Sequence, residues 1–271
     1  MAAIQETTML HQGSEIHYLT YGRGSEAMLT FHGYGQTGMA FLKLEKLQPG
    51  KYTYYCFDLF YHGKSIYDPS HPPLPVDTWS ALVASFLDKN NIESFSMMGY
   101  SLGARFVLTL LPDFYHAINQ IILIAPDGIT MSPWYKMATG NKMGRKVFYW
   151  IMRKPKPILI LINIFAKLQL MDKYVLKFVG NEMNSMEKRF QVYNVWTMFR
   201  YIFPDVHQSI EILNHENIMV ILFMGQYDKI VKEKHILSFN KKINTRQYFK
   251  LSTGHNGILS AALSKLKENK I

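Results

Sequence analysis

Ser101 stands in Gly99-Tyr100-Ser101-Leu102-Gly103, a Gly-x-Ser-x-Gly pattern. Before it runs the apolar Phe95-Ser96-Met97-Met98, which reads as a strand; after it Ala104 to Leu111 reads as a helix stopped by Pro112. The pattern is therefore a sharp strand-to-helix turn that holds a serine hydroxyl clear of a sheet. Its glycines have a steric reason, since side chains two residues to either side of the serine would collide across so tight a turn. A serine hydroxyl is a poor nucleophile at neutral pH and needs a base beside it and an acid to orient that base. With a turn of this kind the partners follow in the chain order Ser, then Asp or Glu, then His. Downstream of Asp228 two histidines remain, His235 and His255. His235 falls in a predicted helix, where a histidine is ordinarily a surface residue. His255 lies in a Gly-rich loop just past the last predicted strand and is the expected base. Asp228, which follows a strand and Gly225, is the first choice of acid, and Asp127, after the preceding strand, is the alternative. Asp58 also ends a strand but precedes the serine, and it reads as a structural, loop-capping carboxylate. The chemistry such a set performs is acyl transfer.

An attacked carbonyl gathers negative charge on its oxygen and needs fixed donors there. The backbone N–H of Leu102, at the start of the helix after the serine, is one candidate. The other is expected from His32-Gly33-Tyr34-Gly35, the loop after the strand that ends at Phe31, at the Tyr34 N–H. Gly33 and Gly35 allow the backbone to approach a substrate closely, and His32 reads as a residue that braces the loop. The single cysteine, Cys56, excludes an internal disulfide and fits a reducing compartment. It lies in an apolar run and reads as packing, not as a nucleophile.

Positioning these groups requires an alternation of strands and helices. Strands are predicted at Met9 to Gln12, Glu15 to Tyr21, Ala27 to Phe31, Tyr52 to Phe57, the Phe95 run, Gln120 to Ala125, Ile218 to Met224 and Gln247 to Leu251. Helices are predicted at about Met39 to Leu47, Val76 to Lys89, after Gly103, up to Leu213, at Glu233 to Asn240 and from Ile258. Such alternation is the signature of a mostly parallel sheet with helices on both faces, an α/β fold. It breaks off near Thr130 and resumes after Pro204. Residues 1–129 and 205–271 are thus expected to form the core, and 130–204 a helical insertion.

Five motifs, His32-Gly33-Tyr34-Gly35, Asp58-Leu59-Phe60-Tyr61-His62-Gly63-Lys64-Ser65, the Ser101 pattern, Gly225-Gln226-Tyr227-Asp228 and Gly254-His255, stand in an order and at spacings that resemble the α/β-hydrolase superfamily. The family's Asp-x-x-Gly-x-Gly-x-Ser loop is only partly kept, with Tyr61 in place of the first glycine. Serine at the elbow disfavours the aspartate-nucleophile dehalogenase and epoxide hydrolase chemistries of that superfamily. The resemblance implies a serine hydrolase acting on a carboxylic ester or thioester, with Ser101, Asp228 and His255 as the triad and Leu102 and Tyr34 as the oxyanion hole. It also implies that the insertion is a cap placed after the sixth strand, with an apolar acyl or alkyl group held between cap and core. Trp134, Tyr135, Met137, Phe148, Tyr149, Trp150 and Met152 could serve that pocket or merely pack the cap. A non-hydrolytic ligand-binding or scaffold member of the same fold is the second reading.

Length and composition agree with one large domain carrying an insertion: 271 residues, 48% hydrophobic and 14% aromatic, enough for a full core. Neither a metal-ligand spacing nor a phosphate loop suggests a cofactor. The net charge of +10 is concentrated, since residues 131–203 hold 13 Lys and Arg against 3 Asp and Glu and the rest of the chain is balanced. A basic cap is a solvated face, a dock for an acidic partner such as an acyl carrier protein or a coenzyme A ester, or a contact with an anionic membrane. For the membrane reading, Arg153, Lys154 and Lys156 flank an apolar run from Ile158 to Phe165. Nucleic acid is not expected, as no recognition fold is in evidence. No signal peptide is visible in Met1 to Glu6, and the longest apolar run, Ile158 to Ala166, is too short to span a bilayer. A soluble cytoplasmic protein is the expectation, peripheral at a membrane if the cap binds one.

Overall fold

Eight strands form a single sheet in the computed structural model, which describes residues 3–47, 49–167 and 173–268. They are β1 (Gln5–His11), β2 (Ser14–Gly22), β3 (Glu26–Phe31), β4 (Tyr52–Phe57), β5 (Phe95–Tyr100), β6 (Ile118–Ile124), β7 (Met219–Gly225) and β8 (Arg246–Leu251). Their spatial order is β1-β2-β4-β3-β5-β6-β7-β8. β1 pairs with β2 and β2 with β4 antiparallel; every later pairing is parallel. The predicted α/β architecture with a mostly parallel sheet is therefore the observed one. β3, β5, β6 and β7 are apolar almost throughout, as strands covered on both faces must be.

The period of two along each strand sorts the core into two layers. Met28, Met98, Tyr100, Ile122, Ile124, Ile221 and Phe223 share one face with Ile258, Leu259, Ala262, Leu263 and Leu266 of the closing helix. On the other face Phe31 stacks on Phe57, and Trp79 and Phe86 of the helix Val76–Lys89 (α1) meet those rings edge-on. Each such buried side chain contributes about 1.5–3 kcal/mol of transfer free energy. After β5 comes α2 (Leu102–Thr109). The helix expected at Met39 to Leu47 is instead a 3₁₀ turn, Gly38–Phe41, and a single turn, Leu44–Leu47. Cys56 is buried on β4, and burial pushes its thiol up to about 12, which suits packing and not attack.

Close packing divides the chain into two units. The sheet unit comprises Met1–His71, Pro75–Thr130 and Ile202–Ile271; the second comprises Pro72–Leu74 and Met131–Tyr201. The second unit is helical: α3 (Pro133–Thr139), α4 (Lys142–Arg153), α5 (Lys156–Lys167), α6 (Lys173–Met183) and α7 (Met186–Met198). Asn141 caps α4 and Ser185 caps α7, each accepting a bond from a backbone N–H of the first turn. Inside the unit Tyr135, Phe148, Met152, Val192 and Val195 are buried. The Arg189 guanidinium donates to the carbonyls of Met152 and Met183, near the C-terminal ends of α4 and α6. Trp134, Met137, Tyr149 and Trp150 are exposed. Side chains of much of the Ile158 to Phe165 run, and Asp172, lie outside the described residues. The sheet unit continues with α8 (Val206–His215), α9 (Glu233–Lys241) and α10 (His255–Glu268). Among the described residues no helix is long and apolar enough to cross a membrane.

Candidate active site

The turn from β5 to α2 holds Ser101 at φ 49°, ψ −113°, a left-handed backbone that costs a non-glycine residue about 1–3 kcal/mol. Three backbone bonds hold it there. The Ser101 N–H donates to Ile124 O (2.9 Å), while Ser101 O accepts from Ala104 N (3.0 Å) and Asp127 N (3.1 Å). A Cβ on Gly99 would lie 2.7 Å from Ala104 Cα, and one on Gly103 only 1.9 Å from Phe31 O. Both glycines are thus demanded by backbone, as the sequence pattern implied.

His255 is the first residue of α10 and not part of a loop before it, a difference of one helical turn from the expected start at Ile258. Its Nε2 lies 3.0 Å from Ser101 Oγ and its Nδ1 2.7 Å from Asp228 Oδ2. The Asp228 side chain is fully buried, and its Oδ1 accepts from the backbone N–H groups of Ile230 (2.8 Å) and Val231 (2.9 Å). A carboxylate is acceptor only, so Nδ1 carries the proton and Nε2 faces the serine hydroxyl as an acceptor. Tyr100, which no sequence pattern singled out, lays its ring 5.6 Å from the imidazole and donates its hydroxyl to His255 O (2.8 Å).

The alternative acid points elsewhere. Asp127 pairs through Oδ2 with Arg105 of α2 and accepts the Gly128 N–H through Oδ1 (2.8 Å). His235 sits on α9 with Nδ1 2.6 Å from Thr130 Oγ1. Asp58 caps its loop: Oδ1 accepts from Gly38 N (2.7 Å), and Oδ2 from Lys64 N (2.9 Å) and His17 Nδ1 (2.9 Å). In that loop Tyr61 adopts φ 64°, so the position where the motif calls for glycine keeps its left-handed backbone with a tyrosine in it.

His32 is fully buried; its Nδ1–H donates to Gly33 O (2.7 Å) and its Nε2 accepts from Leu59 N (3.0 Å). Burial lowers its pKa to about 3, keeping it neutral, and it braces the loop between β3 and the Asp58 turn. A Cβ on Gly33 would meet Ser101 Cβ at 3.4 Å and the Tyr100 ring at 2.9 Å, so this loop, which includes Tyr34, passes against the serine. Leu102 opens α2, and an N–H at that position has no use in the helix's own ladder. The structure therefore gathers Ser101, His255 and Asp228 into one hydrogen-bonded chain beside the Gly33–Tyr34 loop and the α2 N-terminus.

A family model described as "alpha/beta hydrolase fold" matches residues 26–157. Over 118 residues, 43% of this chain, the sequence is 30% identical to the dihydrolipoyllysine-residue acetyltransferase component of the acetoin cleaving system of Cupriavidus necator, and the match spans 30% of that relative's length. Among solved structures, a thermophilic esterase from Thermogutta terrifontis superposes with a TM-score of 0.69 at 16% identity, covering 99% of this chain and 98% of the other. The thioesterase domain from the curacin biosynthetic pathway does so with a TM-score of 0.67 at 15% identity, covering 98% and 99%. At such identities the likeness is one of fold.

Proposed function

We propose that this chain is a serine hydrolase of the α/β-hydrolase superfamily that cleaves a carboxylic ester or thioester through an acyl-enzyme intermediate. The observation that carries the reading is the Ser101–His255–Asp228 chain, with contacts of 3.0 and 2.7 Å in the base tautomer. In the proposed reaction Ser101 Oγ attacks the acyl carbon as His255 Nε2 takes its proton, and buried Asp228 stabilises the imidazolium. The N–H groups of Leu102 and Tyr34 hold the oxyanion. Collapse of the tetrahedral species passes the proton from Nε2 to the leaving oxygen or sulfur. His255 then draws a proton from water, whose oxygen attacks the ester on Ser101, and passes that proton to Ser101 Oγ as the acyl–Oγ bond breaks and the acid leaves. The choice between ester and thioester is supported on both sides by fold likeness to proteins named as an esterase and a thioesterase. An apolar acyl or alkyl group is the proposed substrate moiety, and the 130–204 insertion, as the cap of this fold, the part that selects it.

A serine-directed fluorophosphonate tests the proposal. The wild type is expected to label once per chain, and Ser101→Ala to fold and not label. If folded wild type neither labels nor turns over short acyl esters, the enzyme reading fails in favour of a binding member of the fold.

A further inference from the structure

The second unit exposes an apolar surface inside its excess of positive charge. On α4, Phe148 and Met152 are buried within the unit, and the opposite side of the helix carries Met143, Val147 and Trp150 at i, i+4 and i+7. Met143 is 70% exposed, and Val147 and Trp150 about half. Lys142, Lys146 and Arg153 run along the next strip of the same helix. Gly144 lies round the helix on the other side of the apolar strip, and a Cβ there would meet Met137 O at 2.1 Å. So α3 meets α4 at Gly144, and α3 carries two further exposed apolar residues, Trp134 and Met137. Bordering the basic strip, an open cavity of about 360 Å³ is lined by Lys142, Arg145, Lys146, Tyr149 and Tyr193. Its lining holds three cations and two phenols and no carboxylate.

Each alternative cover accounts for half of this. A solvated charged face explains the cations but not tryptophan and methionine left in water between them. An acidic protein or carrier is recognised by the cations alone. A second copy docking through the same face would set one basic strip against another. A bilayer surface uses both strips: indole and thioether side chains settle at the headgroup level, and lysine and arginine lie flat with their charges on the lipid phosphates. We propose that the α3–α4 surface docks the protein on an anionic phospholipid membrane, with Met143, Val147 and Trp150 entering the interface and Lys142, Lys146, Arg153 and the cavity taking the phosphates. This proposal does not depend on the acyl-enzyme reading.

The test is co-sedimentation of the full chain with vesicles of phosphatidylcholine, alone or mixed with phosphatidylglycerol. Wild type is expected to pellet with the mixed vesicles only, and less as salt rises through about 0.15 M, where the screening length falls to about 8 Å. The triple variant K142E/K146E/R153E should lose at least about a hundredfold in partitioning, since each cation near the surface is worth roughly fivefold. Met143→Ser with Trp150→Ser should lose about tenfold or more at unchanged charge. All five side chains are exposed, and thermal melts check the fold without reference to catalysis. Equal binding to neutral vesicles, no binding at low salt, or full binding by the charge-reversed variant overturns the proposal. So does complete displacement by inorganic phosphate, which would mark an anion site, or a wild-type dimer in which Trp150 becomes protected.

Discussion

Asp228→Asn is the substitution whose outcome the site geometry specifies most fully. Asp228 Oδ1 faces two backbone donors, the N–H groups of Ile230 and Val231, while Oδ2 faces His255 Nδ1. An asparagine must turn its oxygen to the two donors, because an amide NH₂ there would meet two N–H groups head-on. Its NH₂ then points at His255 Nδ1, which has to become the acceptor. The imidazole proton moves to Nε2, the nitrogen 3.0 Å from Ser101 Oγ, and the base can no longer take the serine proton. A wrong-tautomer triad loses about 10⁴ in kcat, or roughly 5.5 kcal/mol of transition-state stabilisation. The assay is kcat and KM on a short-chain acyl ester, with KM expected to change little because the substitution is isosteric and buried. Asp127→Asn is the control: it weakens the pair with Arg105 but leaves the Asp127 N–H bond to Ser101 O intact, and activity should stay within about tenfold. If Asp228→Asn keeps activity within tenfold of wild type, or Asp127→Asn falls as far, the assignment of the acid is wrong.

Two further outcomes follow from packing and from burial. Gly103→Ala puts a Cβ 1.9 Å from Phe31 O and 2.5 Å from Phe31 C, both backbone, so α2 must move more than an ångström from β3. A loss of more than about 4 kcal/mol, or failure to fold, is expected by urea denaturation. Gly35→Ala, at φ 73° with open space around it, should cost only about 1–2 kcal/mol, and equal losses would count against the contact. For His32, the unfolded chain takes up a proton near 6.5 while the folded chain does so only near 3. Stability is therefore present above about pH 6.5 and is lost as the pH falls toward 3, by up to about 1.4 kcal/mol per pH unit. Burial lowers His62 as well and adds in the same direction. His32→Gln should be less stable at neutral pH yet show a shallower acid slope, and an unchanged slope would remove His32 from the account.

Local pattern made the turn at Ser101 and the sheet legible, since strand periodicity, flanking glycines and chain order are all properties of adjacent residues. Contacts between distant residues were not. Asp127 and Asp228 both follow a strand, and they are separated by distant partners: Arg105, in the helix after the serine, pairs with Asp127, and His255 with Asp228. The helix α10 starts at His255, one turn before the pattern predicts, because Gly254 and Gly257 lower helix propensity while the burial of Ile258 and Leu259 against the sheet outweighs it. Tyr61 shows the reverse case, a broken motif whose backbone persists at φ 64°. On α4 the apolar residues lie on two opposite sides, so periodicity could not say whether Phe148 and Met152 or Met143, Val147 and Trp150 would be inside.

Asp127, the alternative acid, has a different task in the structure. The Asp127 N–H binds the carbonyl of Ser101, and its carboxylate binds Arg105 in the first turns of the helix that Ser101 begins. The loop after β6 is thereby tied to the turn on both sides of its strained residue, and the Ser101 N–H bond to Ile124 O adds a third tie from the same strand. A backbone at φ 49° persists only where its surroundings overdetermine it. Here β3 presses on α2 through Gly103, β6 holds the serine by its N–H and the loop after β6 by its carbonyl, and Tyr100 holds the carbonyl of His255. The serine and the imidazole, 3.0 Å apart, are thus both positioned by contacts made within the sheet unit.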